Sequence, residues 1–99
     1  MENKSRYKFD NPRKWLNVQR EKRRLNPRCQ VCGSDVKLQI HHIIPTSVDY
    51  SKVYDLANLV TLCGGHRNCH LVHGHLGNYN SHNPNILDIC IFEQYHPLE

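Results

Sequence analysis

The apolar residues of this chain fall in short, separate groups divided by polar stretches. Residues 36–44 (VKLQIHHII) and residues 59–62 (LVTL) are rich in β-branched and aliphatic side chains, which is typical of strands. The glycine pair at residues 64–65 then breaks the chain, and we expect a helix that begins near Asn68 and runs through several histidines. The pattern therefore predicts strand, loop, strand and helix in that order, with the loop at residues 45–55.

A separate helix is predicted at residues 12–25, before the strands. Asn11 is a suitable N-cap ahead of a proline at the first helical position, and the Asn-Pro pair at residues 26–27 stops the helix. The apolar face is narrow. We therefore expect the helix to dock through Trp15 and Leu16 and to point its basic side chains outward.

The remaining segments predict less regular structure. Residues 1–10 are expected to form a basic arm, and residues 78–85, which are rich in Asn and Ser, are expected to form a loop. Residues 86–95 are apolar enough for a terminal helix or strand that packs on the core. We divide the chain, as one domain overall, into a basic arm with its helix, a core and a C-terminal packing segment, at residues 1–26, 27–85 and 86–99.

The composition indicates one small, polar domain. The chain has 99 residues, of which 38% are hydrophobic, so its apolar core is thin. Domains of this size often depend on metal ions or disulfides for stability. No apolar stretch approaches the length of a membrane span, and the first residues lack the apolar run of a signal peptide. We therefore expect an intracellular, cytoplasmic protein with no membrane partner.

The formal net charge of +4 is unevenly distributed. Residues 1–28 hold ten Lys or Arg and three acidic residues, whereas residues 29–99 hold three Lys or Arg and six acidic residues. A basic segment of this kind suits a polyanion such as nucleic acid, although charge alone is equally compatible with a solvated helix face. The candidate nucleic-acid contacts are Arg20, Arg23, Arg24 and Arg28.

Five cysteines in a chain that we expect to be intracellular favour a metal site over disulfides. Cys29-x2-Cys32 and Cys63-x5-Cys69 offer four thiolates in two pairs, and zinc binds four such ligands tetrahedrally. The first pair has the short spacing of a zinc knuckle, whereas the second pair is more widely spaced. The sequence predicts a structural Zn²⁺ ion held by all four cysteines.

Two alternatives for the cysteines stay open. His66 could pair with Cys69 in place of Cys63, which would then be a thiol of the core; we favour Cys63. The four cysteines could also be buried without any metal. Cys90 stands alone in an apolar stretch, and we expect it to contribute to packing.

Histidines form the second concentration of metal-binding residues, with eight in the chain. His41 and His42 are neighbours at the end of a predicted strand, so their side chains point in different directions. One of them can bind a metal while the other addresses a water beside it. By helical spacing His70 and His73 share a face, and His75 joins them only if the helix ends or bends at the preceding glycine.

The order and spacing of these residues resemble the HNH endonuclease family. The resemblance covers residues 27–85 and rests on the first cysteine pair, on IHHIIP and NLVTLC, and on the Cys69-His70 pair. The stretch CHLVHGHLGNY at residues 69–79 is similar to a subgroup found in phage and mobile-element proteins. The resemblance implies a small α+β fold in which a ββα-metal motif with a zinc knuckle follows a basic helix.

The same resemblance implies a role for each matching residue. His41 corresponds to a ligand of a catalytic divalent ion, and His42 corresponds to the general base. Asn58 corresponds to the asparagine that braces the loop between the strands. His70 corresponds to a second metal ligand, and His75 to a further ligand or a phosphate contact. His73 stands where the subgroup has an aromatic residue, and it receives no role.

The implied activity is metal-dependent hydrolysis of phosphodiester bonds in double-stranded DNA, in the host cell of a phage if the subgroup is right. Neutral His42 can take a proton from water near pH 7. Mg²⁺ or another divalent ion, held by His41 and His70, can neutralise charge on the phosphate and the departing oxygen. A four-cysteine zinc site has no open position and should be structural.

Three other functions use some of the same features. A zinc-stabilised nucleic-acid-binding module without catalysis would need the cysteines and the basic helix, but gives no shared role to the histidines. A histidine-rich metal store would bind several loosely held ions and no DNA. A secreted disulfide domain is disfavoured by the odd number of cysteines and the absence of a signal peptide.

Overall fold

The computed structural model describes residues 10–65 and 67–90. Helix α1 (Pro12–Leu25) is followed by strands β1 (Leu38–His42) and β2 (Leu59–Cys63) and by a five-residue π-helical turn at His70–Gly74, the π turn. Short 3-10 turns lie between the strands and after the π turn, at Tyr50–Lys52, Leu56–Asn58 and Ile86–Ile89. The predicted small α+β fold, with a helix ahead of two strands and a helical segment, is confirmed.

Parts of the chain lie outside this description. They include residues 1–9 of the predicted basic arm, His66, and residues 91–95 of the predicted terminal helix or strand. Among the residues that the structure describes, no helix has the length and apolar character needed to cross a membrane.

Helix α1 has the predicted bounds because its N-terminus is capped locally. The Asn11 side chain accepts the Lys14 backbone N–H at 3.0 Å, and a proline occupies the first helical position. The expected docking through Leu16 is wrong, since this side chain is 44% exposed. The face toward the protein carries Trp15, which is half-buried, and two helical turns further Lys22, which is buried. Leu16 lies about 100° around the helix from that face.

The two strands form an antiparallel hairpin-like pair whose register runs from Leu38 opposite Cys63 to His42 opposite Leu59. Strand β2 is buried at all five positions, whereas in β1 only His41 is buried, Gln39 is exposed and the other three positions are intermediate. The first strand is shorter than the predicted residues 36–44. At its start Lys37 adopts a left-handed conformation with φ of 51°, which interrupts the extended backbone.

The core is small and contains several sulfur atoms, as expected for a chain with few large apolar residues. The knuckle is tied to β2 by a reciprocal pair of hydrogen bonds, in which Gln30 N–H donates to Thr61 O and Thr61 N–H donates to Gln30 Oε1, each at 2.9 Å. The buried apolar residues that contact one another are Cys29, Ile43, Val60, Leu62, Cys63, Cys69 and Ile86.

The first turn of α1 is fastened to the loop between the strands by two tyrosines. The hydroxyls of Tyr50 and Tyr54 donate to Asp10 Oδ1 at 3.1 and 3.0 Å. They also accept the backbone N–H groups of Asp10 and Asn11. The Lys14 ammonium lies 4.7 Å from the centre of the Tyr54 ring, within cation–π range. These contacts, the tyrosine clamp, fix the start of the helix against the loop.

Asn58 holds the loop between the strands from its inner side. Its Oδ1 accepts the Ile44 N–H at 2.8 Å, and its Nδ2 donates to Ile44 O at 3.1 Å and to Lys52 O at 3.3 Å. Its own carbonyl accepts the Ile43 N–H at 2.8 Å. With 6% exposure, Asn58 supplies partners to backbone groups that water reaches poorly.

We therefore expect Asn58→Ala to lower the free energy of unfolding by about 2–3 kcal/mol, because it leaves several buried backbone groups without partners. The measurement is urea unfolding at a fixed Zn²⁺ concentration, with the exposed Asn80→Ala as the control. A loss below about 0.5 kcal/mol, the usual range for surface substitutions, would contradict this role.

Candidate functional site

Four cysteines converge where the knuckle meets the end of β2. The sulfur atoms of Cys29, Cys32, Cys63 and Cys69 all lie within 4.8 Å of one another, and Cys32 Sγ is 3.7 Å from Cys63 Sγ. Tetrahedral zinc with Zn–S bonds of about 2.3 Å places its sulfurs about 3.8 Å apart. Gly33, with φ of 82°, closes the knuckle by donating its N–H to Cys29 O at 2.8 Å. The cluster therefore has dimensions that could hold a zinc ion.

Two thiols of this cluster, Cys32 and Cys69, resist ionisation, whereas in Cys29 burial is outweighed by hydrogen bonds from backbone N–H groups, which lower the pKa. Burial raises the pKa of Cys32 and of Cys69, and in Cys69 the neighbouring thiols raise it further. A divalent cation reverses this balance, since a thiol that coordinates a metal loses its proton. Backbone N–H groups already point at the sulfurs: Cys32 N lies 3.5 Å from Cys29 Sγ, and Cys69 N lies 3.5 Å from Cys63 Sγ.

The sulfur of Cys63 lies within reach of the other three sulfurs, as the favoured assignment requires. His66, the alternative partner of Cys69, lies outside the described residues. Cys90 is apart from the cluster and half-buried, and its thiol donates to Ile86 O at 3.4 Å.

A second cluster joins His41 near the end of β1 with His70 of the π turn and with His75, which directly follows that turn. One ring nitrogen from each of the three lies within 4.8 Å of the others. The backbone N–H of His75 donates to His70 O at 3.1 Å and to Leu71 O at 3.3 Å. The first of these bonds spans five residues, so the rings of His70 and His75 lie on the same side. His73, which α-helical spacing would place on the face of His70 and to which no role was assigned, is not part of the cluster, because the turn has π-helical spacing.

Gly74 allows the π turn to approach the sheet. A Cβ at this position would lie 3.0 Å from Leu62 Cδ1 and 3.2 to 3.3 Å from two ring atoms of His41. The sequence suggested a bend at this glycine. In the structure, Leu62 and the His41 ring lie so close to Gly74 that a larger residue does not fit.

Hydrogen bonds at the outer edges of the rings fix their tautomers. His70 Nδ1 is 2.6 Å from Gln39 Oε1, and His75 Nδ1 is 2.8 Å from Ser81 O. Since an oxygen of this type only accepts, each Nδ1 carries the hydrogen and each Nε2 carries a lone pair. The two Nε2 atoms face each other at 3.2 Å. Among the described residues, His41 Nε2 is likewise buried without a hydrogen-bond partner.

The lone pairs of His70 Nε2 and His75 Nε2 repel each other at 3.2 Å unless a cation lies between them, and His41 Nε2 has no hydrogen-bond partner among the described residues. Burial, reinforced by the neighbouring histidines, lowers the pKa of His41 to about 3 and that of His70 to about 4. Both rings are therefore neutral at pH 7, which is the form that coordinates metal ions. The donor set fits a divalent ion, with outer-sphere acceptors in place as is usual for metal-bound histidines.

His42 points away from this cluster, as alternation along the strand requires. Its Nε2 lies 3.0 Å from Val53 O, so Nε2 donates and Nδ1 is the accepting nitrogen. Its ring stacks on the Trp15 indole, with ring centres 4.9 Å apart and planes 18° from parallel. Burial lowers the pKa of His42 and keeps the ring neutral near pH 7.

One open cavity of about 260 Å³ is bordered by both the three-histidine cluster and His42. Asn58 does not line it, since its side chain faces the backbone of the loop. The residues that line the cavity are Ile40, His41, His42, Pro45, Thr46, His70 and His75.

The four candidate arginines differ in their surroundings. Arg20 and Arg28 are exposed, and Arg23 is half-buried. Arg24 is exposed but paired within the helix, since its guanidinium donates to both carboxylate oxygens of Glu21 at 3.1 and 2.7 Å. That carboxylate offsets the charge of Arg24, so Arg20, Arg23 and Arg28 form the stronger basic surface.

Two residues near the cluster escaped the sequence analysis. Gln39 accepts from His70, and a signal for it existed, because positions 39 and 41 of a strand share a face. Tyr79 is 61% exposed, and its ring lies 4.9 Å from that of His75 and 6.3 Å from that of His70. Nothing in its Asn-rich surroundings marked this tyrosine as a neighbour of the histidines.

The comparisons with known proteins agree with this geometry. The family model described as HNH endonuclease matches residues 29–75, from the first cysteine of the knuckle to the last histidine of the cluster. This segment therefore matches the HNH endonuclease family, which confirms the resemblance seen in the sequence. Neither the search of curated proteins nor the search of solved structures gave a match.

We expect Cys63→Ser to lose bound zinc and to be unfolded at 25 °C, because zinc binding supplies about 10–16 kcal/mol of apparent free energy in small zinc domains. Cys90→Ser, which changes a thiol outside the cluster, should keep both the metal and the fold. Metal content by mass spectrometry and thermal unfolding by circular dichroism check both variants. A folded Cys63→Ser protein with one zinc per chain would contradict the assignment, and damage by His66→Ala would then favour His66.

Proposed function

We propose that the protein is a metal-dependent endonuclease that hydrolyses phosphodiester bonds in double-stranded DNA. The observation that carries this proposal is the shared cavity, on which the three clustered histidines and the accepting ring of His42 both border. A zinc-stabilised nucleic-acid-binding module without catalysis gives this arrangement no role. The family of the matched domain, which consists of endonucleases, supports the same conclusion.

The residues that would hold the catalytic ion are His41, His70 and His75, so His75 takes the role of ligand and not of phosphate contact. Imidazole ligands suit ions such as Zn²⁺, Ni²⁺ and Co²⁺, whereas Mg²⁺ prefers carboxylate, carbonyl and water oxygens. The cluster contains no carboxylate within the described residues, which favours a transition-metal ion over the Mg²⁺ expected first. When bound, a divalent ion stabilises negative charge on the phosphate and on the departing 3′-oxygen.

His42 is proposed as the general base. Its Nε2–H is held by the Val53 carbonyl and its ring by the Trp15 indole, so Nδ1 has a fixed direction. This nitrogen takes the proton of a water molecule while the water oxygen attacks phosphorus and the 3′-oxygen departs. The Val53 carbonyl then faces an N–H of the imidazolium and stabilises its charge.

The four-cysteine cluster is proposed as a structural zinc site, because four thiolates leave no position for substrate. The position of this cluster would also help to fix the proposed metal ligand His70. Cys63 ends β2, and Cys69 comes directly before His70, so the ion would fix the start of the π turn relative to the sheet.

The nucleic acid is proposed to contact the basic surface of α1 and the knuckle. Helix α1 packs against both strands, and Trp15 joins it directly to His42. A polyanion bound along Arg20, Arg23 and Arg28 would therefore lie near the cavity. Most of the affinity in such an interface comes from phosphate contacts and depends on salt concentration.

His42→Ala should fold, keep its structural zinc and bind DNA, but nick supercoiled plasmid about 10²–10⁴-fold more slowly, the usual contribution of a positioned acid–base group. His42→Gln is the matched variant, since its amide can still donate to a carbonyl but takes up no proton. Excess divalent ion should not restore either variant, whereas it should partly restore His41→Ala and His70→Ala.

A His42→Ala protein that nicks plasmid at the parent rate would remove the proposed mechanism. Rescue of His42→Ala by added metal would exchange the roles of His41 and His42. A parent protein that binds DNA without cutting it, over a range of divalent ions, would favour the non-catalytic binding module.

Neutralising Arg20 and Arg23 together, as glutamines, should weaken DNA binding and lower the salt-dependence slope by about 2, roughly one for each lost phosphate contact. Arg24→Gln should have a smaller effect, because Glu21 already pairs with that side chain. Fluorescence anisotropy at several salt concentrations measures both quantities. If affinity and slope both stay at the parent values, the helix face is merely solvated.

A further inference from the structure

We infer that Gln39 is the positioning residue of the three-histidine cluster, and that Gly64 is required because it leaves room for the Gln39 amide. The Gln39 carbonyl holds His70 with its proton on Nδ1, so that the Nε2 lone pair faces the other two histidines. The inference rests on the proposed function in one respect, namely that His70 is a metal ligand.

The placement of Gln39 follows from the strand. Gln39 and His41 are two residues apart on β1 and share the face over which the π turn packs. From this face the Gln39 side chain reaches the outer nitrogen of His70, with 2.6 Å between Oε1 and Nδ1. His75 receives its corresponding acceptor from a backbone carbonyl, that of Ser81. In the described residues, Gln39 is therefore the side chain that sets a tautomer in this cluster.

The tautomer matters because a competing hydrogen bond is close. If the His70 proton moved to Nε2, it would find His75 Nε2 as an acceptor 3.2 Å away. The proton would then occupy the space between the two ligands and would have to leave before an ion could bind. An acceptor on Nδ1 prevents this exchange, since the nitrogen that carries the proton is set by the bond that the other nitrogen makes.

Gly64 supports Gln39 by the absence of a side chain. A Cβ at Gly64 would lie 2.5 to 2.7 Å from Oε1, Cδ and Nε2 of Gln39, which are its three nearest atoms. Gly64 does not have a positive φ, so its backbone conformation suits other residues. The Gln39 amide is the end of a flexible side chain and can turn away. Gly64→Ala should therefore fold and displace Gln39 from His70.

Gly65 provides a matched control at the next position. A Cβ there would lie 3.4 to 3.7 Å from the Lys37 side chain, which is ordinary contact, and Gly65 also lacks a positive φ. Gly64→Ala and Gly65→Ala thus make the same chemical change at adjacent residues. Only the first of them reaches the acceptor of His70.

The experiment is calorimetric titration of Ni²⁺ into untagged full-length protein that holds zinc at its cysteines. Gln39→Ala and Gly64→Ala should each weaken Ni²⁺ binding about 10–100-fold, the usual effect of losing an outer-sphere partner. Gly65→Ala should bind as the parent does. Gln39→Glu should retain the affinity, because a carboxylate accepts from His70 Nδ1 and cannot donate to it. The double variant Gln39→Ala/Gly64→Ala should be no weaker than Gln39→Ala alone.

A second readout needs no added ion. Nitrogen-15 NMR of the histidine rings should show His70 protonated at Nδ1 in the parent and in Gly65→Ala. The proton should be at Nε2, or exchange between the two nitrogens, in Gln39→Ala and in Gly64→Ala. Since this readout concerns one proton, a general loss of packing would not reproduce it while the zinc content and circular dichroism stay at the parent values.

The outcomes separate this inference from the proposed function. A parent protein that binds no Ni²⁺ beyond its zinc would contradict the three-histidine ion site and the inference together. A parent that binds Ni²⁺, with Gln39→Ala and Gly64→Ala at the same affinity, would overturn only the role of Gln39. Loss of affinity in Gln39→Glu as large as in Gln39→Ala would also overturn it, because the acceptor would not be what matters.

Discussion

The four sulfur atoms of the cysteine cluster come from three parts of the chain, and each part adjoins an element of the candidate site. The knuckle at Cys29 and Cys32 follows α1, Cys63 ends β2, and Cys69 comes directly before the π turn. A domain with so few large apolar side chains gains little stability from burial. One ion at this point would connect the basic helix, the sheet and the π turn that carries His70. The positions of the helix and of the clustered histidines would then depend on the same four bonds.

Alternation along β1 separates the two chemical functions that the adjacent histidines could serve. His41 faces the π turn and is buried with its Nε2 directed at the cluster, whereas His42 faces α1 and the loop. Both rings are neutral for the same reason, since burial lowers both pKa values. What distinguishes them is their hydrogen bonding. His42 has its proton fixed toward a carbonyl, whereas His41 Nε2 has no hydrogen-bond partner among the described residues.

The features that could be predicted from the sequence were those set by neighbouring residues. The bounds of α1 follow from an Asn-Pro pair at each end, and the first cysteine pair follows from its spacing. His75 was expected beside His70 only if the helix ended or bent at the preceding glycine, and it is the five-residue spacing of the π turn that brings the two rings together. Leu16 was misplaced because an apolar residue beside Trp15 was assumed to share its face. The pairing of Arg24 with Glu21 depends on rotamers that spacing alone does not set.

The tyrosine clamp has a mechanical consequence for the ring of His42. Two parts of the molecule contact this ring: the Trp15 indole of α1 stacks on one face, and the Val53 carbonyl of the loop lies at one edge. Tyr50 and Tyr54 join the loop to the start of α1 a few residues away, so they help to fix the distance between the two parts that contact the ring. Under the proposed function, a force that the nucleic acid exerts on α1 would therefore be transmitted directly to the ring of His42.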